Sequence, residues 1–533
     1  MAVKINNIIL SIDDDISEVK IKAAKRLNIS SKDFKSFKIL RESIDARKKN
    51  SIKFNYSVLV ECDNESKVVS CANDKDIKTE EMNCSENFDF GSEKLEHRPV
   101  IAGMGPAGMF AGLLLAEKGY RPIIIERGED ADKRTESVKR FWNGGELDTE
   151  SNVQFGEGGA GTFSDGKLTT RIKDPRCSFV IQKFVDFGAP EEIMYSGKPH
   201  IGTDILKNVV KNIRNRIIEL GGEVKFKSKM ENIISRNSKV EALIVNGQQI
   251  PCEALILAIG HSSRDTYEML YKNDIAMTVK PFAVGVRIEH SQKMIDENQY
   301  GKFAGHPKLK AADYRLTYTS KISGRAVYSF CMCPGGKVVA AASENGRLVT
   351  NGMSYYKRDM ENANSAIVVS VGENDFCGET PLKGMQFQRK YEEMAYDLGG
   401  GGYIAPVQLA GDFLSDKVST KTGSIIPSYK PGYEFRDLRQ CLPPCIVSSL
   451  KEGILNFNSK IKGFASYDAV LTGIETRTSS PIRIERDNTM QCLSLRGLYP
   501  AGEGAGYAGG IISAAVDGLK AAESIMKKWK SFY

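Results

Sequence analysis

Pro99-Val-Ile-Ala-Gly103-Met-Gly105-Pro-Ala-Gly108, a helical stretch over residues 109–118, then Arg121-Pro-Ile-Ile-Ile-Glu126: this order of apolar strand, glycine turn, helix, second apolar strand and terminal acid decides the fold. Each glycine has a physical task. Gly103 permits the tight turn, Gly105 lets backbone N–H groups approach a pyrophosphate, and Gly108 lets the helix sit close to the sheet. The helix N-terminus adds partial positive charge for phosphates. Glu126, eighteen residues after Gly108, is placed to accept both ribose hydroxyls of an adenosine. The same glycine spacing recurs at 156–161 and 504–509, but neither copy follows a long apolar strand with an acid about twenty residues on. No independent nicotinamide-dinucleotide domain is therefore visible.

The 533 residues around this unit are 41% hydrophobic and 26% charged, which excludes a disordered, collagen-like or disulfide-scaffold chain and leaves room for several cores. The longest apolar run, residues 100–116, is interrupted by Gly103, Gly105, Pro106, Gly108 and Gly112, and it reads as the phosphate turn rather than a membrane helix. Residues 1–10 lack the basic start and apolar core of a signal peptide, and the eleven cysteines are irregularly spaced, so a cytoplasmic protein with reduced thiols is expected.

The first ninety-five residues form a small α/β module of ferredoxin-like type, with strands expected at 5–12, 37–40 and 52–60. A helix over 16–27 puts Ile16, Val19, Ala23 and Leu27 on one face, and a polar, acidic stretch from 63 to 96 reads as a connector. Residues 1–60 carry 13 Lys/Arg against 7 Asp/Glu, and residues 61–96 carry 4 against 11. The adjoining acidic stretch cancels the basic patch, which argues against nucleic acid as a partner; a protein partner suits the module better.

Residues 152–168 are too glycine-rich for a helix or strand interior and suit close approach to something flat or anionic. An amphipathic helix follows at 203–220, a strand at 223–227, a hairpin at 233–244, and a buried strand entering Gly260-His261-Ser262. Leu498-Tyr-Pro-Ala-Gly502-Glu503 leads through Gly504, Gly506, Gly509 and Gly510 into a helix over 512–528. The segment between, roughly 276–484, mixes short strands with Gly/Pro turns and reads as an inserted domain.

This arrangement resembles the FAD-binding flavoprotein superfamily, and most of all a family of uncharacterised FAD-dependent dehydrogenases. The match rests on residues 155–168, Gly260-His-Ser-Ser-Arg-Asp-Thr266, Cys331-Met-Cys-Pro-Gly-Gly336 and Asn351-Gly-Met-Ser354. The resemblance implies a discontinuous Rossmann-like FAD-binding domain (98–275 and 485–533), an inserted mixed α/β substrate domain (276–484) and the N-terminal module (1–95). It implies non-covalent FAD held by Gly103, Gly105, Pro106, Ala107 and Gly108, with Glu126 and Arg127 beyond them. The loop would add Gly158, Gly159, Ala160, Gly161 and Thr162. Met230 would meet adenine through its backbone, with Ala258 and Gly260 beneath the cofactor. Gly502, Glu503, Gly509, Gly510 and Ile511 would meet the ribityl chain and ring.

A flavin does its own hydride chemistry, so the protein's part is orientation and electrostatics. Cys331 and Cys333 are candidate thiols at the flavin, although their spacing is not the C-x-x-C of disulfide reductases. With Cys441 and Cys445 they could also be drawn as a zinc site, but neither spacing is a zinc spacing, and no metal is expected. His261 is a candidate proton donor. Lys167, beside Asp165, could stabilise negative charge on reduced flavin. Arg325, Arg347 and Arg358 are candidates for a carboxylate substrate. The expected function is an FAD-dependent oxidoreductase acting on a small organic substrate, with NAD(P)H as a candidate donor and no membrane partner. A flavin-dependent tRNA-modifying enzyme and a non-catalytic flavoprotein are the two alternatives.

Overall fold

Strand Val100–Ala102 lies at the centre of a parallel five-stranded sheet in the computed structural model, which describes residues 1–81 and 88–532. The order across the sheet is Leu498–Pro500, Leu255–Leu257, Val100–Ala102, Ile123–Ile125, Glu223–Lys225. Ala102 stands opposite Leu257 on one side and Ile125 on the other, so the strand ends are level. Four of the five strands are runs of apolar residues, as covering on both faces requires. Helix Pro106–Glu117 starts with proline at its first position and buries ten residues all round its axis. Its glycines explain the close fit: a Cβ on Gly108 would fall 1.9 Å from the Gly103 carbonyl oxygen, and one on Gly112 2.5 Å from Ile124. Helix Ile511–Lys528 packs against it, and a Cβ on Gly518 would fall 2.0 Å from the Ala107 carbonyl oxygen. The class is α/β, with a Rossmann-like sheet drawing on sequence from positions 100 and 500.

Between those ends the chain builds a seven-stranded sheet. Its order is Thr317–Thr319, Ala326–Cys333, Asn362–Val371, Phe282–Ser291, Val470–Glu475, Ala405–Leu409, Tyr433–Phe435; all pairs are antiparallel except the last. Phe282–Ser291 is buried along nine of its ten residues. A smaller antiparallel sheet holds Met230–Arg236, Lys239–Val245 and Gln248–Pro251.

These elements belong to one of two units, made of Phe88–Ala189, Ile201–Ile295 and residues 313–532; the other comprises residues 1–81 with Pro190–His200 and Asp296–Ala312. The smaller unit runs strand, helix, strand, strand, helix, strand, and its sheet order is Ser36–Asp45, Lys53–Glu61, Ala2–Ser11, Ile77–Glu80, all antiparallel. That is a split βαβ arrangement. Two expectations are corrected here. Part of the stretch read as a connector is helix Glu65–Ala72 and edge strand Ile77–Glu80, and residues 82–87 lie outside the described residues. The first helix spans Glu18–Leu27, so Ile16 precedes it and is 48% exposed, while Val19, Ala23 and Leu27 are buried. Two later segments complete this unit: the Glu42 amide donates to the Tyr195 carbonyl at 2.6 Å, and Lys308 donates to the Asp14 carbonyl at 2.7 Å. Among the described residues no helix is long and apolar enough to cross a membrane.

Candidate functional site

At the level ends of the parallel strands a cavity of about 400 Å³ opens. Strand Val100–Ala102 runs directly into Gly103, whose φ of +103° and whose missing Cβ, 2.3 Å from the Ala258 carbonyl oxygen, both demand glycine. Gly105 differs: its φ is ordinary, and a Cβ there would meet only the Gly159 Cα, at 3.9 Å. A larger side chain at 105 would therefore fill the cavity at the helix N-terminus. Gly260, Gly509 and Gly510 likewise present bare backbone to open space.

Glu126 is 5% exposed and ties three turns together. Its Oε2 accepts from the Met104 amide at 2.8 Å, and its Oε1 accepts from the Gly128 and Gly156 amides, both at 2.9 Å. A carboxylate has about four acceptor positions. One remains, so Glu126 can take one ribose hydroxyl, not the two expected of it. Arg127 beside it is committed to Glu150 at 2.7 Å and to both oxygens of Asp265 at 2.8 Å, and lies 4.2 Å over the Phe155 ring.

The glycine-rich loop is held from behind by Arg134, a fully buried residue of helix Ala131–Trp142. Its guanidinium donates to the carbonyls of Asn152 (2.8 Å), Val153 (2.9 Å) and Glu157 (2.7 Å). Burial lowers its pKa to about 10, which leaves it charged at neutral pH. The loop's close approach has a simple cause: a Cβ on Gly159 would come within 3.0 Å of the Gly105 Cα.

The cavity is lined as well by Glu503, His261, Lys167, Cys331, Asn351, Glu475 and Arg477. Burial pushes the Glu503 carboxyl up to about 7, against the pull of Lys280. His261 is pushed down to about 3, by burial first and by Arg477 and Arg264 next. It is a neutral imidazole across the physiological range, so it cannot serve as a cationic acid. Its Nδ1 lies 3.3 Å from the Ser262 hydroxyl, which donates to Gln154 at 3.1 Å. The buried Lys167 ammonium has no hydrogen-bond partner; Asp165 stands 3.6 Å away, with its carboxylate engaged by Arg358.

Most of the expected residues line this one cavity: Gly103, Gly105, Pro106, Ala107, Glu126 and Arg127; Gly159, Ala160 and Gly161; Met230, Ala258 and Gly260; Gly502, Glu503, Gly509, Gly510 and Ile511; and His261, Lys167 and Cys331. Four do not. Gly108 lies against the Gly103 carbonyl, as above. Gly158 faces Thr162 and Val210, the Thr162 hydroxyl donates to the Glu157 carbonyl at 3.2 Å, and Cys333 is wholly buried behind Cys331. Arg325, Arg347 and Arg358 are spent on Asp375, on Glu344 and Glu393, and on Asp165, and none reaches the cavity. Arg477 does, although its guanidinium also bonds Ser343 and Glu392. Among the described residues no three His, Cys, Asp or Glu side chains are grouped to hold a metal.

Sheet, glycine turn and cavity make an α/β scaffold of Rossmann-like type, and comparison with known proteins narrows the class. Residues 281–478 match a family described as FAD-dependent protein, C-terminal domain-like, and residues 2–61 match a domain of unknown function. An uncharacterised protein of Clostridium beijerinckii is 61% identical over 529 residues, covering 99% of both chains. The chain belongs to the same family as that Clostridium beijerinckii protein, and its residues 281–478 carry the FAD-dependent C-terminal-type domain. Protein FixC of Escherichia coli K12 is 27% identical over 206 residues, 37% of this chain and 44% of that one. Glycine oxidase from Geobacillus kaustophilus aligns over 83% of this chain and 97% of its own at 11% identity, with a TM-score of 0.35, too loose to carry a functional statement.

The cavity fits FAD on its own features. It has bare glycine backbone at a helix N-terminus for the pyrophosphate, a free acceptor on Glu126 for a ribose, and in its lining the Lys167 ammonium, which makes no hydrogen bond.

Proposed function

We propose that this protein is an FAD-dependent oxidoreductase that moves a hydride between bound flavin and a small organic substrate. The observation that carries the reading is continuity: one cavity joins the glycine turn at Gly103 and Gly105 to the polar wall of Lys167, Cys331, Asn351 and Arg477. Gly103, Gly105 and the first turn of helix Pro106–Glu117 would hold the pyrophosphate. Glu126 and Met230 would face the adenosine, and Glu503 with Gly509, Gly510 and Ile511 the ribityl chain and ring. The bound flavin supplies the two-electron chemistry.

The chain's own residues set the conditions for it. Lys167 brings a positive charge that no hydrogen bond shares, suited to an anionic substrate group or to negative charge developing beside it. Glu503 holds a proton near neutral pH and so lowers the negative charge near an anionic cofactor. Neutral His261 bonds Ser262 and orders the 260–263 turn. NADH or NADPH is the donor we propose, entering the cavity without a nucleotide domain of its own.

The test is an absorbance spectrum of the purified protein, then anaerobic titration with NADH and NADPH. Flavin bands that bleach support the whole reading. Bands that stay oxidised with both would remove the nicotinamide donor and turn the search to organic reductants. A colourless protein that cannot be reconstituted with FAD would overturn the function.

A further inference from the structure

We propose that Cys331 and Cys333 are a redox-active dithiol that closes to a disulfide across a bulge in strand Ala326–Cys333. Strand pairing locates the bulge. Phe330 stands opposite Ala366 and Cys333 opposite Asn364, so three steps on one strand meet two on the other. Cys331 takes a left-handed φ of +44°, a conformation costly for a side-chain-bearing residue and one that points to function when it lies in a site. In a regular strand, residues two apart are separated by roughly 6.6 Å of rise. Here the Cys333 thiol turns back and donates to the Cys331 carbonyl at 3.3 Å.

The two thiols are unequal. Cys331 lines the cavity, whereas Cys333 is wholly buried behind it, which suits an attacking and a resolving thiol. Charge favours the same division. Arg287 donates to the Cys331 carbonyl at 2.9 Å and is paired with Glu475, and Asp165 is engaged by Arg358. That leaves the Lys167 ammonium as the surplus positive charge, and Glu503 and the Tyr314 phenol are the other titratable groups acting on the pair. In keeping with this, the Cys333 thiol, and after it Lys167 and Arg287, hold the Cys331 thiol well below its usual range against the effect of burial. Two cysteines merely filling a strand end would need neither the left-handed turn nor a buried ammonium that makes no hydrogen bond.

In the oxidising direction the Cys331–Cys333 S–S bond forms, the Cys333 S–H bond breaks, and one proton and two electrons leave. The acceptor is an oxidised isoalloxazine or a small disulfide. With oxidised glutathione, the Cys331 thiolate attacks one sulfur and expels a first glutathione. Cys333 then attacks Cys331, expels the second, and its proton goes to a leaving thiolate.

The destination of the electrons rests on the flavin reading; the dithiol itself does not. The experiment treats the holoprotein with dithiothreitol, removes it anaerobically, and exposes portions to air or to graded glutathione redox buffers. Each portion is acid-quenched and alkylated with N-ethylmaleimide in denaturant, and the peptide spanning 331–333 is weighed. The expected result is a single transition from two alkyl groups to none. Cys333→Ser should instead leave Cys331 carrying glutathione, and Lys167→Met should move the pH midpoint of iodoacetamide alkylation of Cys331 upward. Two alkyl groups on the peptide under every oxidant would overturn the proposal, as would an unchanged pH midpoint for Cys331 alkylation in Lys167→Met. A yellow protein with two independent thiols would remove the dithiol alone. A colourless protein that still forms the disulfide would keep the dithiol and remove the flavin.

Discussion

Two parts of the cavity lining are built by different means. At the phosphate end, Gly103, Gly105 and the first turn of helix Pro106–Glu117 follow one another in the chain, and their work is done by backbone. Elsewhere in the lining, Lys167, Cys331 and Arg477 are spread over 310 residues of chain and present side chains, the two cations held by buried ion pairs. Backbone sites are specified by short local sequence and tolerate little. Side-chain sites are specified by the whole fold, and there single changes alter chemistry before they alter binding.

Gly105→Val should break the phosphate end outright. A valine side chain would occupy the open space above Gly105, and flavin should fall from one per chain to none by absorbance. Retention of stoichiometric flavin would show that the turn is not the phosphate site. Arg134→Met probes the support behind that end. It strips three buried carbonyls of their charged donor and should cost about 3 kcal/mol, read as a lower urea midpoint with an unchanged slope. A midpoint within error of the parent would mean that the loop holds itself.

Glu503 sharpens the comparison through pH. Its folded carboxyl titrates near 7 against an ordinary 4.5, so between those values the folded chain holds the proton and the unfolded chain does not. Its contribution to stability is present in full below about pH 4.5 and is lost as the pH rises through 7. The thermal midpoint of the parent should therefore fall more between pH 5 and pH 8 than that of Glu503→Gln; equal slopes would place the proton elsewhere. The smallest effect is expected among the side chains. Cys333→Ser should keep full flavin occupancy, and a loss of flavin would show that the bulge supports the cofactor and not only the chemistry.

Much of the glycine-turn geometry was legible because each requirement is local. A tight turn, a close helix and a level strand end all ask for glycine at fixed spacing. Even there, the sequence left Glu126 looking free for two ribose hydroxyls, since nothing local says that Gly128 and Gly156 amides will claim one oxygen. Arg134 was invisible for a related reason. An arginine in a charged helix such as Ala131–Trp142 looks like part of a solvated face until the loop it grips is in place. Strand Ile77–Glu80 was hidden by its composition: as a short edge strand it buries only Ile77 and otherwise exposes polar residues. The arginines singled out as substrate binders had the right chemistry, but their acidic partners decided their use. Apart from Glu344, three residues from Arg347, those partners lie 46 to 193 residues away in Asp375, Glu393 and Asp165.

Strand Leu498–Pro500 and helix Ile511–Lys528 complete a sheet that begins at Val100. During synthesis the glycine turn leaves the ribosome long before the strand and helix that finish its cavity. At about 5–20 residues per second, the interval for the intervening four hundred or so residues is roughly 20–85 s. Until then strand Leu255–Leu257 lacks its outer neighbour, and helix Pro106–Glu117 lacks the helix that packs against it. Under the proposed function, cofactor capture therefore waits for residue 511, and a nascent protein caught short of it should be both flavin-free and prone to chaperone retention.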